Sequence, residues 1–308
     1  MSRAVRFDHY GGVEVLRVEE IPDPVPTAGE VRLAVRAAGV NPFDLKILHG
    51  AMASGRALER PRGLGSDVAG VVEALGSGVS RFAVGDEVLG ASSTPAFAER
   101  ALASEEKLTA RPSGVPWAVA GGLAVVVGTA YRTLAMLGVA SGETLLIHAA
   151  SGGVGLAAVQ FAVARGVHVI GTAGEGNHDL LRSLVAEPVL YGDGFAERVR
   201  ALAPDGVDAV LDASGRGELA ASVELAGGPA RVLTIAARDA AEHGVRYHGG
   251  GGGEDTVRAL EEVLPLIEDG RFIFRIAGTF SLEEVGRALE ASETGHAAGK
   301  LVILPGVS

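Results

Sequence analysis

Residues Thr144 to Thr172 read TLLIHAASGGVGLAAVQFAVARGVHVIGT, and the fold is decided there. The stretch opens on a short uncharged apolar run, Thr144 to Ala149, which predicts a buried strand. A glycine-rich loop follows, then the helical spacing of Val154 to Arg165, then a second apolar run over Val167 to Thr172. Strand, loop, helix and strand within about thirty residues form a βαβ unit. Within the loop, His148 to Gly155 (HAASGGVG), Gly152 and Gly155 let the backbone approach a pyrophosphate and let the helix pack close to the sheet. The helix start adds unpaired N–H groups and a positive dipole end. Ala150 stands where the G-x-G-x-x-G pattern has its first glycine, so the string alone would fit an ordinary strand-to-helix turn. The flanking strands and helix make it a dinucleotide loop.

Working outward, Pro188 to Tyr191, Val207 to Ala213 and Ala230 to Ile235 are further apolar runs, with helical stretches at Phe195 to Leu202 and Glu218 to Leu225. Alternating short strands and helices predict a doubly wound parallel sheet. Beyond it come a helix over Thr256 to Ile267, a strand-like Arg271 to Phe280, a helical Leu282 to Ala291 and a last strand, Lys300 to Leu304. The run Gly249 to Gly253 reads as a flexible loop. Before the βαβ unit the texture is different. Val13 to Val18, Val31 to Ala37, Val68 to Leu75 and Glu87 to Leu89 are β-branched runs divided by Pro and Gly turns, which predicts an irregular β-rich domain. After Pro112 to Pro116, Ala118 to Leu137 has helical spacing.

The 308 residues therefore divide into two compact units. The formal net charge of -11 would repel a polyanion, which speaks against nucleic acid as a partner. No run of about 18 uncharged apolar residues occurs, and the first residues lack a secretory pattern, so the expectation is a soluble cytoplasmic chain with no membrane association. Zero cysteines exclude disulfides, thiolate catalysis and Cys-based metal sites. The eight histidines are scattered.

The second strand of the βαβ unit decides which dinucleotide is expected. NAD sites carry an acid near its end for the ribose 2′-hydroxyl, and here it ends Gly171-Thr172-Ala173. With no acid to repel a 2′-phosphate, NADPH is favoured, with Thr172, Asn177 and Tyr191 as its hydrogen-bond donors. Glu175 and the lack of Lys or Arg between Val169 and Leu181 count the other way.

Six segments together resemble one family. They are AGVNPFD (Ala38 to Asp44), GSDVAGVVEALG (Gly65 to Gly76), VGDEV (Val84 to Val88), GTAY (Gly128 to Tyr131), HAASGGVG (His148 to Gly155) and GKL (Gly299 to Leu301). The family is the zinc-independent quinone oxidoreductases, the zeta-crystallin-like branch of the medium-chain dehydrogenase/reductases. The resemblance implies an α/β protein with a β-rich GroES-like catalytic domain over 1–116, rejoined by 271–308, and a Rossmann domain over 117–270. It also implies a homodimer paired through sheet edges, with Val245 to His248 as the candidate edge strand.

Zinc-using relatives place Cys where this chain has Asn41 and His-Glu where it has Ser66-Asp67, so no metal is expected. The acceptor must then be electrophilic already: a quinone, or an alkene conjugated to a carbonyl. The resemblance places Asn41 and Thr129 at the nicotinamide and substrate as the catalytic pair. It gives Phe43, Asp44 and Tyr131 to the substrate wall, although Asp44 also reads as a helix cap and Tyr131 as a packed helix residue. For the cofactor it adds Gly153, Val154, Ser214 and Lys300 to Gly152, Gly155, Thr172, Asn177 and Tyr191. Many relatives carry a tyrosine where Lys46 stands, and Tyr131 is the substitute proton-donor candidate. Two other functions fit the same fold: reduction of an enone, 2-alkenal or enoyl thioester, since HAASGGVG resembles the enoyl reductase modules of polyketide synthases, and non-catalytic NADPH binding.

Overall fold

The computed structural model describes every residue but Met52, Ser54, Gly251 to Gly253, His296, Ala298, Val307 and Ser308, so three residues of the glycine run lie outside it. The chain forms two compact units, Met1–Gly128 with Gly253–Ser308, and Thr129–Gly252.

The first unit begins with an antiparallel pair, β1 (Ser2–Arg6) and β2 (Arg17–Ile21). The expected strand at Val13 to Val18 is instead a 3-10 turn over Val13–Val15, after which extended backbone starts only at Leu16. That turn buries Val15, which strand alternation could not have separated from its exposed neighbours. Then follow β3 (Glu30–Gly39), α1 (Pro42–Leu48), β4 (Asp67–Leu75), β5 (Glu87–Ala91), β6 (Arg100–Ser104), β7 (Leu108–Ala110) and α2 (Trp117–Leu137), whose residues from Thr129 on belong to the second unit. Inward residues of β3, Val31, Leu33 and Val35, alternate with partly exposed ones, as a strand with one covered face requires. They share a core with Val72, Val88, Phe97 and Leu108. The helix α2 is long and apolar enough to cross a membrane, but 67% of its apolar stretch is buried inside the fold. Its Gly121 lies so close to β3 that a Cβ there would stand 2.5 Å from Ala37 Cβ.

The second unit is the expected βαβ series: β8 (Thr144–His148), α3 (Gly153–Ala164), β9 (His168–Ala173), α4 (His178–Ser183), β10 (Glu187–Leu190), α5 (Phe195–Leu202), β11 (Ala209–Asp212), α6 (Leu219–Leu225), β12 (Val232–Thr234) and β13 (Arg246–Tyr247). All six strands are parallel, in the order β10-β9-β8-β11-β12-β13. The order reverses between β8 and β11, the switch point where open parallel sheets bind ligands beyond their strand ends. The glycine loop leaves β8 at that point. β13 is an outer strand of the sheet, at the position expected for the edge.

The chain then re-enters the first unit with α7 (Glu254–Glu268), β14 (Ile276–Phe280), α8 (Val285–Glu293) and β15 (Lys300–Ile303). β15 pairs antiparallel with β3 and parallel with β14, so the tail does return to the first sheet. The division differs from the expected 117–270. The amphipathic α7 packs Leu260, Val263 and Leu264 inward, lies against β5 and β7, and accepts the Gly114 N–H on Glu268 Oε1 at 3.1 Å. Its apolar face is covered by the β-rich unit, which periodicity does not reveal.

Candidate active site

In the second unit the loop after β8 is held by β9. Thr172 O accepts the Ala150 N–H at 2.9 Å, Thr172 Oγ1 accepts the Ala149 N–H at 3.2 Å, and Ala149 takes a positive φ of 53°. Gly152 is the N-cap of α3 and has no side chain to accept its first-turn N–H groups, so Gly153, Val154 and Gly155 present an uncapped, positively polarised helix end. A Cβ on Gly155 would stand 2.2 Å from Ala149 O, so only glycine permits this approach. The cradle fits a dinucleotide pyrophosphate.

Thr172 does not face outward as its assignment to the 2′-phosphate requires. Its side chain is 2% exposed and its hydroxyl also lies 3.3 Å from His148 Nδ1. The alternation of β9 turns this residue into the sheet. The segment that follows, Gly174 to Asn177, forms a 3-10 turn, and a Cβ on Gly174 would lie 4.0 Å from the Tyr191 hydroxyl. Tyr191 is half-exposed beside Gly174, which opens the turn that carries Asn177. Beyond β11, Ser214 caps its own turn: its N–H donates to Asp212 Oδ1, and its hydroxyl lies 2.9 Å from that oxygen and 2.7 Å from Glu218 Oε2. Tyr131 packs edge-on against Phe161, with the Arg165 guanidinium 5.1 Å from its ring centre, so it is a helix-packing residue. Thr129 is 8% exposed on α2.

In the first unit three buried side chains converge. Lys300 Nζ lies 2.5 Å from Asn41 Oδ1 and 3.1 Å from Asp67 Oδ2, and Asn41 Nδ2 donates to Asp67 Oδ2 at 3.0 Å and toward Gly39 O at 3.3 Å. The other Asp67 oxygen accepts the Val125 N–H at 2.6 Å. Glycines make the channel for the lysine: a Cβ on Gly39 would stand 2.8 Å from Lys300 Cε, and one on Gly122 2.8 Å from Lys300 Cγ. Lys300, which the resemblance gives to the cofactor, is in this structure an internal ion-pair partner of Asp67. Asp44 also departs from the substrate wall. It is fully buried, accepts the Asn41 and Gly65 N–H groups at 2.8 and 3.0 Å, and so caps α1 and ties it to the segment before β4. Burial pushes its carboxyl up to about 6, against those two donors and Lys300. Phe43, on the same helix, is partly exposed and lines an open cavity of about 270 Å³ with Tyr10, Ile47, Gly50, Ala53 and Arg62.

Sequence reading named Asp67 only as a position with altered metal chemistry, and it missed Gly39 and His148. Asn41, Ser66 and Asp67 do not suit a zinc ion here, because the donors that converge already share an ammonium, whose charge would repel a second cation. Among the described residues no group of three or more His, Asp or Glu side chains is arranged to hold a metal.

Residues 27–138 match the alcohol dehydrogenase GroES-like domain and residues 185–303 the zinc-binding dehydrogenase domain. The human quinone oxidoreductase is 34% identical over 79% of this chain and 75% of its own length. A tomato 2-methylene-furan-3-one reductase is 34% identical over 98% of this chain and 79% of its own. A mycobacterial structure complexed with NADPH superposes with a TM-score of 0.86 at 30% identity, covering 99% of this chain and 100% of that one. With the parallel sheet and the uncapped glycine loop, these matches place the chain in the quinone oxidoreductase family of the medium-chain dehydrogenase/reductases.

Proposed function

We propose that the protein is a reductase that takes NADPH and delivers its reducing equivalents to a quinone. The observation that carries this reading is the Lys300 ammonium seated between Asn41 and Asp67. A fixed single positive charge, already neutralised by a carboxylate, cannot polarise a ketone as a divalent ion does. The acceptor must therefore bring its own electrophilicity. When bound, the nicotinamide supplies the hydride. The chain supplies binding and orientation: the α3 N-terminus for the pyrophosphate, Asn177 and Tyr191 for the 2′-phosphate end, and the Phe43 cavity for a flat acceptor. Thr129 and Asn41 orient without titrating. The tomato relative, whose name states a conjugated enone substrate, supports an enone as the second acceptor class.

Anaerobic incubation with NADPH and a panel of quinones, enones and saturated ketones tests the acceptor. Hydroquinone is the expected product, and turnover confined to saturated ketones would sink the reading. NADPH preference rests on the missing acid after β9 and on the half-exposed Tyr191. Fluorescence titration should find NADPH bound about tenfold more tightly than NADH, with the margin reduced in Tyr191→Phe. Equal affinities in the parent would make Glu175 the deciding residue. The two-residue edge strand β13 supports a homodimer joined through the sheet edge, and light scattering should return twice the chain mass.

A further inference from the structure

The buried histidine at the end of β8 belongs to no step described so far. His148 is fully buried, its Nε2 lies 2.8 Å from Ser222 Oγ on α6, and its Nδ1 lies 3.3 Å from Thr172 Oγ1 on β9. Phe195 closes one side of the ring with an edge-on contact at 5.3 Å between centres.

The directions of these bonds are fixed by counting protons. Ser222 Oγ lies 2.7 Å from Glu218 O, an acceptor only, so its single proton goes there and the hydroxyl must accept from His148 Nε2–H. A neutral imidazole protonated at Nε2 leaves Nδ1 as an acceptor, which takes the Thr172 hydroxyl proton. Thr172 Oγ1 then accepts the Ala149 N–H at 3.2 Å. The reverse order would leave the Thr172 proton with no acceptor inside a buried site, which native structures avoid. One directional chain thus runs from α6 through His148 and Thr172 to Ala149. Its last link holds the residue whose positive φ shapes the glycine loop. A non-glycine residue in that conformation persists only where its surroundings over-determine it.

We propose that His148 and Thr172 are positioning residues that hold the dinucleotide loop in its binding shape, through a hydrogen-bond chain anchored at Ser222. The proposal rests on the reading that this loop binds a nicotinamide dinucleotide. It separates Thr172 from cofactor choice: the residue acts on the pyrophosphate end, which NADH and NADPH share.

Binding and spectroscopy test it. Thr172→Val removes both links while nearly keeping the shape, Thr172→Ser restores them, and Ser222→Ala breaks the chain at its far end. Titration should show Thr172→Val weakening NADPH and NADH by the same factor, about tenfold, or about 1.4 kcal/mol. Ser222→Ala should weaken both by a smaller common factor, and Thr172→Ser should bind as the parent does. In the parent, ¹⁵N spectra of His148 should show an unprotonated Nδ1 and a protonated Nε2. A loss of NADPH affinity alone in Thr172→Val would make Thr172 a 2′-phosphate contact and overturn the proposal, as would unchanged affinities in both Thr172→Val and Ser222→Ala, or a proton on Nδ1. Should the parent bind neither nucleotide, the functional reading fails by itself. The chain is then decided by hydrogen exchange at the Ala149 amide, which should quicken in Thr172→Val and Ser222→Ala and which overturns the proposal if it does not. Should Thr172→Val fail to fold, Ser222→Ala and Thr172→Ser carry every arm.

Discussion

Asp67 has no exposed surface, and its charge is balanced by an ammonium that reaches it along a channel of glycine backbone. Breaking such a pair by removing one partner leaves a buried charge uncompensated, which costs about 3–5 kcal/mol. Urea unfolding of Lys300→Met should show a loss of that order, and the double variant Asp67→Asn with Lys300→Met should recover most of it. A double variant as unstable as the sum of the singles would show that the two residues act separately. Asp44 is a different kind of buried acid, with its carboxyl raised from 3.8 to about 6 chiefly by burial. Between those values the folded protein holds a proton that the unfolded chain has released, so this group's contribution to stability declines as pH rises from about 4 to about 6 and is level above. The total is about 3 kcal/mol for a rise of this size. Asp44→Asn does not titrate, so the stability difference between parent and variant should change in the variant's favour across that window. Parallel pH profiles would contradict the burial argument.

Among the elements, α3 with the loop before it is the one whose sequence and geometry agree most closely. The Gly155 position admits no side chain, since a Cβ would meet Ala149 O at 2.2 Å. Gly155→Val should therefore force the loop from its shape at a cost of about 1–3 kcal/mol. Nucleotide affinity should fall ten- to hundredfold in fluorescence titration, with the circular dichroism of the sheet kept. Parental affinity would mean that the loop is only a turn. The βαβ series was legible because its strands are short, apolar and bounded by glycines, and its helices keep one period. What the sequence did not disclose is which way a residue near the end of a strand points. Thr172 and Asp44 are polar residues beside a candidate site, and both turn inward, one by strand alternation and one as a helix cap. Nor does periodicity say which unit covers the apolar face of α7.

Over the whole molecule, one unit is a parallel sheet whose switch point carries an uncapped glycine loop, and the other is a β-rich unit whose buried acid is served by lysine. The six family segments were scattered along the chain, and their order allowed the fold to be read before any contact was known. The lysine's partner was not legible, because 233 positions separate Asp67 from Lys300 and only the pairing of β15 with β3 returns the tail to the first sheet. Reduction of an electrophilic acceptor should therefore need no zinc beside the Lys300–Asp67 pair. The most direct measurement is anaerobic oxidation of NADPH by a naphthoquinone, using protein dialysed against a strong chelator and checked by elemental analysis. Hydroquinone should form at the same rate before and after dialysis, with no increase when zinc is returned. Activity lost on dialysis and regained with one equivalent of zinc would contradict it.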